Sequence, residues 1–182
     1  KICVPFGVNV LWDPMSTIAL AVSTNAQFVR EIFTGTYASD MGIWSPNAGE
    51  AMRYRNSLGR KDIQMYYNIS AEFAYSMDRR SISERAESVV FSSIPDAVLV
   101  SGQITGQSAK LEEIKEVSKI IPKTPVLANT GVNLENVEEI LRVTDGVIIG
   151  SSLKINGDTW KNVDFNRAKK FMTKVKSLRK NA

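Results

Sequence analysis

Residues 125–154, PVLANTGVNLENVEEILRVTDGVIIGSSLK, constrain the fold more than any other stretch of the chain. Residues 125–129 read as a short apolar strand that breaks at Thr130 and Gly131. Asn133 is a good N-cap for a helix expected over 134–143, with Glu135 in its first turn. A second apolar strand at 146–149 follows almost at once and stops at Gly150, Ser151 and Ser152. Strand, glycine turn, helix, strand and glycine turn form a parallel βαβ unit, with both turns at the carboxyl ends of neighbouring strands.

Glycines let a backbone approach a ligand closely, and the N–H groups of such turns can face a bound anion. In (β/α)8 barrels the loops after the last two strands often form a phosphate site. Thr130, Gly131, Gly150 and Ser151 are therefore expected to form a phosphate cradle, with Lys154 adding positive charge. The plainer alternative is that two glycines end two strands.

The rest of the chain repeats the same rhythm. Strands are expected at 6–12, 27–33, 62–69 and 96–101, and helices at 14–24, 47–58, 81–94 and 110–121. Pro14 sits just inside the first helix, and Ser81 with Glu84 makes a capping box. The strand at 6–12 carries Asn9 among apolar neighbours and is followed by Asp13. Arg30 lies in an apolar run, where an unpaired guanidinium is costly to bury, so it meets an acid or faces a polar barrel mouth.

On 62–69, alternation puts Gln64, Tyr66 and Asn68 on one face with Ser70, the face expected to line a barrel interior. The fourth strand ends at Ser101 and Gly102, opening a glycine-flanked turn over 102–106 at the same end of the sheet. Residues 34–46 and 70–80 read as long loops, the first a candidate lid.

These six βα units predict a (β/α)8 TIM barrel of which about the last six units are supplied and the first two are absent, since a closed barrel takes eight units and about 250 residues. The competing fold is an open, doubly wound sheet. One domain over 1–182 is expected, with 43% apolar residues to build its core.

The single cysteine, Cys3, and the absence of histidine exclude an internal disulfide, Cys/His metal sites and imidazole catalysis within these residues. No metal or cofactor is expected. No apolar run reaches the roughly 20 residues of a membrane span, and a cytoplasmic location is expected. The net charge of +4 is concentrated at the end: residues 161–182 hold eight Lys/Arg against Asp164, a local +7 that leaves −3 for the rest. Phe165, Ala168, Phe171, Met172, Val175 and Leu178 fall at helical spacing there, so the charge reads as the solvated face of a packed helix and not as a nucleic-acid patch.

The motifs GVNVL at 7–11, FVR at 28–30, RYRNSLG at 53–59, DAVLVSGQITG at 96–106 and DGVIIGSSLKINGDTW at 145–160 resemble the BtpA/SgcQ family over nearly the whole chain. The resemblance implies a TIM barrel with phosphate-binding loops after its last strands, and a role associated with photosystem I biogenesis in some members. Where many members carry an acid, a histidine and a lysine-histidine pair after the third of these strands, this chain has Asn68, Ser70, Glu72 and Phe73. Trp12 and Asp13 replace an arginine-asparagine pair.

Three functions follow for testing. The first is an enzyme of phosphorylated small-molecule metabolism, acting on a sugar phosphate or nucleotide. In it Arg30 would hold a second anionic group or stabilise charge, Arg30, Asn68 and Asp13 would be the catalytic candidates, and Asn9, Ser101 and Gly102 would join the cradle in ligand binding. Asp40 and Glu72 are further carboxylates near strand ends, each equally readable as a surface group. The second is a non-catalytic assembly factor acting through protein partners. The third, a nucleic-acid binder, lacks an aromatic platform. Self-association as a homo-oligomer is expected.

Overall fold

The computed structural model describes residues 3–102 and 108–180. In chain order the elements are β1 (Gly7–Val8), α1 (Pro14–Thr24), β2 (Phe28–Glu31), β3 (Tyr37–Ser39), β4 (Gly42–Trp44), α2 (Ala48–Ser57), β5 (Gln64–Asn68), β6 (Ala74–Ser76), α3 (Ile82–Ser93), β7 (Ala97–Ser101), α4 (Leu111–Ile120), β8 (Val126–Asn129), α5 (Val137–Leu141), β9 (Gly146–Ile148) and α6 (Phe165–Lys180). Short 3-10 turns occupy Ser151–Leu153 and Ile155–Gly157.

Capping chemistry sets most of the helix boundaries. Asp13 accepts from Ser16 N at 2.9 Å and starts α1, and Asn47 does the same for α2 through Glu50 N at 3.0 Å. The capping box at α3 is complete, with Ser81 N donating to Glu84 and Glu84 N to Ser81 Oγ. The helix expected over 134–143 is shorter, Val137–Leu141. Asn133 Oδ1 takes the N–H groups of Glu135 and Asn136, so it holds a turn that precedes the helix.

Six strands form one parallel sheet in the order β1-β2-β5-β7-β8-β9, each beside its predecessor among these six. A doubly wound sheet needs a reversal of strand order and helices on both faces. Here Val29, Met65, Tyr67, Val98, Val100, Val126 and Ala128 pack in a single core with residues from all six helices, including Ile18, Ala51, Val89, Ile114, Val137 and Phe171. All helices therefore cover one face, and the sheet curls as it does in barrels. The other face carries Arg30, Tyr66, Asn68, Leu99, Leu127 and Asn129, which fall on it through the pairs Arg30↔Tyr66, Asn68↔Leu99, Leu99↔Leu127 and Asn129↔Ile148. Phe28 and Tyr66 stack at 5.0 Å on this inner face.

Two aspartates tie the sheet in equivalent ways. Asp96, just before β7, accepts from Met65 N at 2.7 Å, and Asp145, just before β9, accepts from Val126 N at 2.8 Å. Each carboxylate takes the N–H of the preceding sheet strand, a charged hydrogen bond worth about 1.5–3 kcal/mol. Asp96→Ala is expected to lower unfolding stability by about that amount in a urea melt with unchanged m-value.

The two expected loops are corrected by the structure. Residues 37–44 form a hairpin, and β6 from the second loop pairs with it, giving an antiparallel sheet β4-β3-β6 above the carboxyl ends of β2 and β5. Tyr37 anchors it, 2% exposed, in a small core with Ile32 and Ala71. The first strand is also shorter than expected, Gly7–Val8, and Gln64 is exposed where it was expected inside. On α6, Phe171 and Val175 are buried as the spacing requires, but Phe165 and Met172 are exposed.

Candidate functional site

The last residue of four successive strands of the large sheet is a buried polar one: Glu31, Asn68, Ser101 and Asn129. Burying such groups is costly without partners, so their clustering at one end of the sheet marks where polar chemistry is concentrated. Asn129 Nδ2 donates to Asn68 Oδ1 at 3.3 Å, and the hydroxyls of Ser101 and Ser70 meet at 3.0 Å.

Two adjoining cavities that share Arg30 open at this end among the described residues. The larger, about 360 Å³, is bounded by Thr130 and Gly131 after β8 and by Gly150 and Ser151 after β9, with Asn129, Ser152 and Gly157. The pairing of β8 with β9 is what brings the two glycine turns side by side. Thr130 and Gly131 both adopt left-handed backbone, φ 65° and 64°, which is unusual for a β-branched residue and folds the chain back sharply. The turn is fixed from behind. Gly102 N donates to Thr130 Oγ1 at 3.1 Å, and Gly131 O accepts from Ser108 Oγ and Asn136 Nδ2 at 2.9 and 3.0 Å. A Cβ built on Gly150 meets nothing within 4 Å, so this turn borders open space.

The smaller cavity, about 130 Å³, is lined by Asn9, Glu31 and Asn68, with Trp12 and Phe73 among its walls. Arg30 and Glu72 line both cavities, and Arg30 Nη2 lies 3.6 Å from Glu72 Oε1. Among the described residues Arg30 Nε is buried without a hydrogen-bond partner. Trp12 and Phe73 both hold φ 61°, a conformation rare for aromatic residues. Trp12 is kept in place by stacking on Trp44 of the hairpin, with centroids 4.9 Å apart and planes at 8°. The hairpin, expected as a lid, thus reaches the cavity wall through Trp12, while residues 34–46 line neither cavity.

Glu31 is 3% exposed. Oε1 accepts from Ile32 N at 3.0 Å and Trp12 N at 3.3 Å, and Oε2 accepts from Asn9 Nδ2, which also donates to Arg30 O. Burial pushes its carboxyl above the ordinary glutamate range, and the three donors and Arg30 offset part of that rise. Sequence reasoning missed Glu31 because alternation pairs it with Tyr67, on the helix side of the sheet. The available signal was an acid at a core position directly after Arg30.

The other expected site residues are distributed as follows. Thr130, Gly131, Gly150 and Ser151 share the larger cavity; Asn9 and Asn68 line the smaller; Arg30 belongs to both. Ser101 and Gly102 lie one layer behind, holding Ser70 and Thr130. Asp13 is a helix cap lining neither cavity, and its bonds from Ser16 hold its carboxyl below the usual range. Asp40 is exposed at the hairpin turn. Lys154 does not reach the larger cavity's lining, because its Nζ donates to Thr159 O within its own loop.

A cation that the sequence did not suggest stands behind the rim, lining a neighbouring cavity with Leu153 and Phe171 and not this one. Arg167, in the first turn of α6, donates Nε to Ser152 O at 2.8 Å, and its Nη2 lies 3.6 Å from a Cβ built on Gly157, so it meets two residues of the cavity rim. Residues 103–107 of the expected glycine-flanked turn lie outside the described residues. Among the described residues no group of three or more Cys, Asp or Glu is placed to hold a metal ion, and no helix is long and apolar enough to cross a membrane.

The chain is 45% identical over 177 residues to the sgc region protein SgcQ of Escherichia coli, covering 97% of this chain and 66% of that one. It is 29% identical over 170 residues to the photosystem I biogenesis protein BtpA of Synechocystis, covering 92% and 59%. It thus spans about two thirds or less of the length of these curated relatives. Among solved structures, one described as native KDPGal superposes with a TM-score of 0.62 at 13% identity, covering 97% of this chain and 71% of that one, which places the curled sheet among TIM-barrel-like folds. Residues 1–177 match the sequence model of the BtpA family, and the chain belongs to that family.

Proposed function

We propose that this chain carries the ligand site of an enzyme acting on a phosphorylated small molecule, with the phosphate held between the turns at 130–131 and 150–151. The observation that carries this reading is the meeting of two glycine turns from adjacent parallel strands around one cavity that also contains Arg30. Glycine turns at this end of a barrel-type sheet admit a phosphate close to the backbone, and Arg30, which lines the same cavity, supplies positive charge. Arg30 and Asn68 are the proposed reacting-end residues of this site, and Asn9 a binding residue.

The test is a thermal-shift screen of the full-length protein against inorganic phosphate, sugar phosphates and nucleotides. A ligand at 100 times its dissociation constant stabilises by about 2.7 kcal/mol. A selective shift with a phosphorylated compound supports the reading, and a folded protein silent to every one of them opposes it.

We further propose that βα units from outside residues 1–182 close the barrel between β9 and β1. These strands end the sheet order. A groove of about 850 Å³ beside β9 is lined with Leu127, Val147, Ile149, Met172 and Leu178 together with the charged Glu138, Arg142, Asp145 and Arg179, a mixed surface open to a further strand and helix.

A second reading, a protein-assembly role, has its own observation. The outer face of the small antiparallel sheet exposes Ile43 and Tyr75, with Met41 and Met77 beside them. The Synechocystis relative is described as a photosystem I biogenesis protein. Loss of a co-purifying partner in Ile43→Asp, with ligand binding intact, would favour it.

A further inference from the structure

We infer that the smaller cavity takes an uncharged, hydroxyl-bearing end of the ligand, so that the site selects phosphate monoesters of polyhydroxylated compounds and rejects compounds with a second anionic group. This rests on the phosphate reading of the larger cavity and extends it to the other half of the ligand. Because Arg30 and Glu72 line both cavities, a molecule anchored at Gly131 and Gly150 and reaching Asn68 passes directly by the guanidinium.

Beyond that point the chemistry changes sign. The charged residues lining the smaller cavity are one guanidinium, Arg30, and two carboxylates, Glu31 and Glu72. Arg30 already has Glu72 at 3.6 Å. A second phosphate or a carboxylate placed there would face both carboxylates, and like charges brought together across a binding interface are strongly disfavoured. A cationic end would meet Glu31 and Glu72 as well as Arg30, so tighter binding of ethanolamine phosphate than of glycerol 3-phosphate would overturn the uncharged assignment.

A neutral hydroxyl avoids the repulsion that an anionic end meets. Ionised carboxylates only accept hydrogen bonds, with about four acceptor positions each, and three donors occupy Glu31. One position remains for a ligand hydroxyl. The amides of Asn9 and Asn68, which line the same cavity, accept and donate, as a row of hydroxyls requires. The small volume, about 130 Å³ against about 360 Å³ on the phosphate side, fits a short polyol end.

The experiment is a calorimetric titration of the full-length protein with inorganic phosphate and with matched pairs: glycerol 3-phosphate against 3-phosphoglycerate, and ribose 5-phosphate against ribose 1,5-bisphosphate. The hydroxyl-ended member is expected to bind more tightly than inorganic phosphate, and more tightly than its anion-ended partner by about tenfold or more. Glu72→Gln and Glu31→Gln, each checked for folding by circular dichroism, are expected to narrow that gap. Anion-ended compounds binding as well or better would overturn the selectivity while leaving the phosphate cradle standing. A gap unchanged in both variants would overturn its assignment to the carboxylates. Silence toward inorganic phosphate and every ester would overturn the cradle reading, and the inference with it.

Discussion

Replacing Gly150 by aspartate is expected to abolish binding of phosphate monoesters, weakening it by about 100-fold or more, while the unliganded protein stays folded. The size follows from placing a carboxylate against a phosphate dianion in a partly enclosed cavity, where like charges cost several kcal/mol. The preserved fold follows from the space at this position: a Cβ there has no neighbour within 4 Å. Gly150→Ala separates charge from bulk, and it is expected to bind only a fewfold more weakly. The measurement is a titration of each variant beside a thermal melt without ligand. Equal binding by the aspartate variant would remove the turn at 150 from the site.

Glu31→Ala is expected to be the most destabilising single change at this end of the sheet, at about 3–5 kcal/mol in denaturant unfolding. The alanine leaves Ile32 N buried without its acceptor and takes one acceptor from the part-buried Trp12 N and Asn9 Nδ2, the latter keeping Arg30 O; a buried unsatisfied donor costs about 1–3 kcal/mol, less where water enters. Glu31→Gln should cost less, since its carbonyl oxygen can still serve the two backbone donors.

The same carboxylate makes stability depend on pH. Its folded pKa is raised, so the folded protein holds this proton more tightly than the unfolded chain. That contribution is fully present below the ordinary glutamate value of about 4.3 and is lost as pH rises through the raised folded value. Asp13, Asp78 and Glu84 have lowered values through hydrogen bonds with their neighbours, so their contributions run the other way, present above the ordinary range and lost on acidification. Arg30 and Glu72 share the Glu31 cavity, so the Glu31→Gln comparison is made with both intact. The expected result is that Glu31→Gln flattens the fall in stability above about pH 4.3 and leaves the acid limb unchanged.

Much of the architecture could be read from local chemistry. Asp13 with Pro14, Asn47, and Ser81 with Glu84 each announce a helix start within the chain around them, and the structure begins α1, α2 and α3 there. The glycine turns after β8 and β9 were legible for the same reason: each is a strand terminator visible within a few residues. What escaped depends on contacts distant in sequence. The hairpin of β3 and β4 is completed by β6, with the whole of α2 and β5 between them, so neither half declares itself alone.

Glu31 escaped because period-two alternation describes where a Cβ leaves the strand, whereas this carboxylate turns under the loop at Trp12 to satisfy three donors. Lys154 and Arg167 depart from local expectation for a similar reason. The lysine is taken up by Thr159 O in its own loop, and the arginine reaches Ser152 O only because α6 packs against that turn.

The central claim, that the turns after β8 and β9 hold a phosphate group, is tested most directly by a crystal structure of the full-length protein soaked with tungstate, an electron-dense phosphate mimic. An anomalous peak bounded by Thr130, Gly131, Gly150 and Ser151 and within reach of Arg30, displaced by excess phosphate, is the expected result. No peak there at a concentration that saturates other anion sites, or a peak that phosphate does not displace, would contradict it.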